Sequence, residues 1–79
     1  MLQKSERLVA AFGSTHDALL CEQLCREADV PGRLIPIPTD ITADCGLCFM
    51  MPPEEKERFR KVIAGKLIPS GYYFRMLWG

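Results

Sequence analysis

A chain of 79 residues with ten basic and ten acidic side chains has room for one small domain, residues 1–79. It has no net field to recruit nucleic acid or an anionic membrane. With 48% of its residues hydrophobic and 25% charged, it reads as globular, and no stretch reaches the ~20 apolar residues of a membrane span. The polar opening Met1-Leu2-Gln3-Lys4-Ser5-Glu6-Arg7 does not have the pattern of a secretory signal. The four cysteines are therefore expected in a reducing, cytoplasmic setting and not as a disulfide scaffold.

The first apolar run, Leu8-Val9-Ala10-Ala11-Phe12, ends at Gly13-Ser14-Thr15 and predicts a buried strand. Ser14 or Thr15 is placed to cap a helix, with Asp17 at its positive end. Ala18, Cys21, Leu24, Cys25 and Ala28 then recur at helical spacing, and Asp29-Val30-Pro31-Gly32 stops the helix. Arg33-Leu34-Ile35-Pro36-Ile37 predicts a second strand, and Pro36, which has no backbone donor, puts it at an edge. After a polar loop, Leu47-Cys48-Phe49-Met50-Met51 predicts a third strand. Pro53, Glu54 and Glu55 open a second helix whose apolar face carries Phe59, Val62 and Ile63. Glu54 with Arg58 and Glu57 with Lys61 are spaced for surface ion pairs on it. Gly71-Tyr72-Tyr73-Phe74-Arg75-Met76-Leu77-Trp78 predicts a fourth strand.

The order βαββαβ predicts an α/β (α+β) ferredoxin-like two-layer sandwich, a four-stranded antiparallel sheet with two helices on one face. Right-handed crossovers give the spatial order 4-1-3-2. In that topology the loop after strand two shares one rim with the start of the first helix. That loop, Asp40-Ile41-Thr42-Ala43-Asp44-Cys45-Gly46, holds the most informative residue of the chain. Cys45 sits beside a glycine that lets the backbone turn and leaves the thiol accessible, the setting of a thiol kept for its chemistry. Ser14 and Thr15 are the candidate anion-binding residues of the helix start, and His16 is the candidate stabiliser of the thiolate, opposed by Asp44.

The other cysteines have plainer readings. Cys48 completes a Cys-x-x-Cys with Cys45 and is a candidate redox partner, but a strand follows it where a thioredoxin-like motif needs a helix. Burial in the core is its expected role. Cys21 and Cys25 sit among Ala18, Leu24 and Ala28, so packing is expected there and no metal site.

Across Phe12-Gly13-Ser14-Thr15-His16-Asp17-Ala18-Leu19, Glu22-Gln23-Leu24, Arg33-Leu34-Ile35-Pro36, Thr42-Ala43-Asp44-Cys45-Gly46-Leu47 and Pro52-Pro53-Glu54, the chain resembles the selenium/sulfur carrier-like family. The resemblance implies a carrier protein more than a true enzyme, one that accepts sulfur or selenium on Cys45 as a persulfide or selenosulfide. It also implies donor proteins resembling cysteine desulfurases, acceptors in selenium or thiolation pathways, and no bound cofactor. Two alternatives stay open from the residues alone: a small-molecule-binding or regulatory module without chemistry, and a dithiol redox protein using Cys45 and Cys48. The last strand is apolar on both faces, which predicts an exposed patch on the sheet face without helices, a homodimer or partner interface.

Overall fold

The computed structural model of the chain describes residues 4–41 and 46–78. Strands β1 (Lys4–Ala11), β2 (Arg33–Pro36), β3 (Leu47–Met51) and β4 (Gly71–Trp78) alternate with helices α1 (Thr15–Glu27) and α2 (Lys56–Ile63). The sheet runs β2-β3-β1-β4 with every neighbouring pair antiparallel. Read from the β4 edge, that order is 4-1-3-2. Pro36 ends the edge strand β2, where its missing donor costs no ladder bond.

Local chemistry sets the helix ends. Ser14 is the N-cap of α1 in extended geometry, and its hydroxyl accepts a hydrogen bond from the Asp17 N–H at 3.2 Å. At the other end Asp29 takes a left-handed conformation, φ 57°, and the Val30 N–H reaches back to the Cys25 carbonyl at 2.9 Å. The Arg58 guanidinium of α2 adds a bond to the Ala28 carbonyl at 2.9 Å, tying the two helices together. Gly32 follows at φ 153°, and a Cβ there would stand 2.5 Å from the Phe49 ring and 2.6 Å from the Met50 carbonyl oxygen. Only glycine lets the chain pass this close to β3.

The second helix begins later than Pro53-Glu54-Glu55 suggests. Those residues form a single 3₁₀ turn, and α2 proper starts at Lys56. The shift in phase changes the ion pairs: Arg58 meets Glu55 at 3.5 Å and Arg60 meets Glu57 at 3.8 Å, both at i,i+3. β1 is also longer than its apolar run, because Lys4 to Arg7 pair with β4 while β3 reaches only Leu8 to Ala11.

Strand alternation divides the core into two clusters. On one face Leu8, Ala10, Phe12, Phe49 and Met51 pack against Ala18, Cys21 and Cys25 of α1 and Phe59 and Ile63 of α2. Phe59 is the hinge of this cluster, stacked on Phe49 at 5.7 Å and edge-on to Tyr72 at 6.2 Å. On the other face Val9, Cys48 and Met50 are buried with Ile41, and Ile35, Ile37, Tyr73 and Leu77 pack around them.

This second cluster corrects the expectation of an open apolar face. Among the described side chains of β4, the large apolar ones that are exposed are Phe74, at 49%, and Met76, at 59%. Phe74 pairs with Leu8 and so lies on the helix-bearing face. Met76 lies opposite Glu6, where the β1–β4 ribbon runs on past β3, and Phe74 lies on the edge strand β4.

Candidate functional site

The end of the sheet where β1 stops is where the chain gathers its loops. Ala11 lies opposite Cys48 on β3 and Gly71 on β4, and Pro36 lies opposite Leu47. Ser70 donates to the Ala11 carbonyl at 2.8 Å. The start of α1, the β2–β3 connection and the start of β4 therefore share one end of the molecule.

Cys45 and Asp44 fall outside the described residues, as do Thr42 and Ala43. The two feet of their loop are described. Gly46 is exposed, nothing lies within 4 Å of where a Cβ would sit, and its carbonyl accepts the Ile37 N–H at 3.0 Å. On the other side residues 37–41 form a stem, turned by a bond from the Ile41 N–H to the Pro38 carbonyl at 3.0 Å.

Ser14, Thr15 and His16 are exposed at the start of α1. The Ser14 hydroxyl is engaged by the Asp17 N–H, so it serves the helix first. The His16 side chain is 88% exposed and its Nδ1 lies 3.8 Å from the Asp17 carboxylate. That carboxylate competes with any anion for the helix start. A further separation comes from the sheet itself. α1 packs on one face, whereas the stem delivers Ile41 into the cluster on the opposite face. The helix start and the loop stem share an end of the sheet but not a side.

Cys48 is fully buried on the second face, opposite Ile35 and Ala11. Cys21 and Cys25 are buried on the first, beneath α1. Its interaction with Cys25, with burial adding to it, holds the Cys21 thiol well above the usual thiol range, and the same interaction draws Cys25 downward against its own burial. The sheet lies between this pair and Cys48, so the three sulfurs do not converge on one ion. Among the described residues no group of three or more His, Cys, Asp or Glu side chains is placed to share a metal. An open cleft of about 460 Å³ is lined by Cys25, Arg26, Asp29 and Gly32. It lies at the far end of α1, away from the loop, and the Glu22–Arg26 ion pair at 3.1 Å borders it.

One contact escapes the sequence reading. Arg75 on β4 donates through Nε at 2.8 Å and lies at 2.7 Å through its second terminal nitrogen, both to one carboxylate oxygen of Asp40. The same guanidinium donates to the Phe74 carbonyl at 2.8 Å and stands 5.5 Å above the Tyr73 ring. Arg75 holds the Asp40 carboxyl below the usual carboxylate range. The signal for this anchor was Ile41, a lone large apolar residue in an otherwise polar loop, which is 6% exposed.

No described helix is long and apolar enough to cross a membrane. A family model with the description "Putative Se/S carrier protein-like" matches residues 7–74. No curated protein and no solved structure matches the chain.

Proposed function

The chain belongs to the selenium/sulfur carrier-like family, and from that membership we propose that it carries sulfur or selenium on Cys45 between partner proteins. The observation that carries the reading is the extent of the match, residues 7–74, which takes in both feet of the Cys45 loop and the start of α1. The fold is read as a ferredoxin-like sandwich, used as a scaffold that presents one loop thiol and binds no cofactor. Transfer needs only a thiolate. Cys45 attacks the terminal sulfur of a donor persulfide, the donor S–S bond breaks, a new S–S bond forms on Cys45, and the donor leaves as a thiolate. An acceptor thiolate then repeats the step on the loaded carrier.

Exposure of Gly46 supports access for a donor of protein size, because nothing crowds the residue next in the chain to Cys45. The helix start is assigned a lesser part. Ser14 is engaged as a cap and α1 lies on the other side of the sheet from the stem, so Thr15 and His16 act on the thiolate at most through the field at that end of the molecule. Donors resembling cysteine desulfurases and a reducing compartment fit this chemistry.

The test is intact-mass spectrometry after incubation with a cysteine desulfurase and cysteine. A gain of one sulfur that is lost in Cys45→Ser is the expected result. No gain in the unaltered chain would sink the carrier reading in favour of a binding module. A reversible two-proton loss that requires both Cys45 and Cys48 would favour dithiol redox chemistry instead.

A further inference from the structure

The sheet has two edges, and the chain treats them differently. β2 is four residues long and ends on Pro36, which blunts it against further pairing. β4 is eight residues long, pairs with β1 without a break from Gly71 to Trp78, and contains no proline. Among the described residues no strand lies on its outer side. Its one charged side chain, Arg75, is already paired with Asp40 at 2.7 Å. The devices that keep an edge from meeting another strand are thus concentrated on β2.

Antiparallel pairs alternate between exchanging two backbone bonds and exchanging none. The bond from the Ile37 N–H to the Gly46 carbonyl continues the β2–β3 register and fixes that phase for the sheet. Ile35 and Cys48 exchange bonds, so Phe49 and Met51 turn theirs to β1, and Arg7 and Val9 turn theirs to β4. The N–H and C=O groups of Tyr72, Phe74 and Met76 are left pointing outward. The Arg75 guanidinium reaches the Phe74 carbonyl at 2.8 Å, as an outward carbonyl allows, and that oxygen keeps a second lone pair. The side chains of the same three residues lie on the helix-bearing face, where Phe74 and Met76 are exposed.

We propose that this edge joins two copies of the chain, antiparallel across a two-fold axis at Phe74, into one eight-stranded sheet. The strand is its own complement in that arrangement. Phe74 meets Phe74 of the other copy and Tyr72 meets Met76, so the outward backbone groups pair and the apolar side chains close over the seam. Charge selects the same occupant and orientation. Exposed Glu6 lies opposite Met76, and the Lys56 ammonium stands 5.2 Å from the centre of the Tyr72 ring. Joining the strands antiparallel turns Lys56 of each copy toward Glu6 of the other, at both ends of the seam. Lys4 lies opposite Trp78, beyond the span from Tyr72 to Met76. The seam is the edge of the sheet and not its helix-free face. The proposal is independent of the carrier reading, because Cys45 takes no part in it.

The experiment uses the full chain carrying Cys45→Ser, with mass read by sedimentation equilibrium over a range of micromolar concentrations in reducing buffer. A reversible dimer is expected. Met76→Lys, which sets a charge in the seam at an already exposed position, should raise its dissociation constant by about tenfold or more. The register is read separately by adding one cysteine and cross-linking with a short bismaleimide. Facing Cα atoms of a bond-exchanging pair are about 5.5 Å apart, so Phe74→Cys should link the two copies. Met76→Cys should not, because its two copies lie four residues apart along the seam, about 13 Å. A monomer at every concentration would overturn the proposal. So would a dimer that Met76→Lys leaves unweakened, or equal cross-linking through positions 74 and 76.

Discussion

The two faces of the sheet bury their apolar residues by different means. The first is covered by two helices, with Phe59, Ile63, Ala18, Cys21 and Cys25 interlocked on Leu8, Ala10, Phe49 and Met51. Among the described residues, the second is met by a short stem that supplies one buried side chain, Ile41, and one exposed ion pair. Both keep their central residues dry: Leu8 and Val9, neighbours on β1 facing opposite ways, are each 0% exposed. Equal burial therefore conceals unequal security. A helix is held by many contacts at once, whereas the stem can be released at a few points.

That contrast can be broken by mutation. Phe59→Ala should be the most damaging change, destabilising the fold by about 3–5 kcal/mol, as measured by urea unfolding. It removes the ring that joins Phe49 to Tyr72. Ile41→Ala should cost about 2 kcal/mol, the low end for a buried aliphatic truncation, because water can enter from the loop side. A cost for Ile41→Ala equal to that for Phe59→Ala would mean that the two faces are not different in the sense argued above.

The smallest effect concerns the Asp40–Arg75 pair. Arg75 depresses the Asp40 carboxyl, so its contribution is complete above the ordinary carboxylate value of about 3.9 and is lost as pH falls through the lowered one. Following the Arg75 Nε–H resonance by NMR from pH 6 downward (starting and end points of roughly two units either side of the ordinary value) should show a midpoint below that value. A midpoint at or above it would remove the pair from the account of the second face.

Much of the fold was legible along the chain. Leu47 to Met51 and Gly71 to Trp78 are strands with the bounds their apolar runs suggest, and Ser14 caps α1 as its position before Thr15 implies. Pro36 foretold an edge strand because a missing donor is a local fact. The exposed patch was misplaced, because it rested on the assumption that a face without helices must be open. Pairing partners such as Arg75 and Asp40, 35 residues apart, leave no mark in local periodicity.

The sequence by itself determined the element types, the family, and Cys45 as the candidate carrier thiol, since each depends on short-range pattern or on motif order. Tertiary structure decided which thiols are enclosed. It set Cys21 and Cys25 under a helix, sent the stem to the opposite face from the start of α1, and gathered Ile41 and Cys48 into one cluster. The physical reason is that burial and electrostatic pairing belong to surfaces that meet only after the chain has folded, and a two-layer sheet gives the same local pattern two different neighbours.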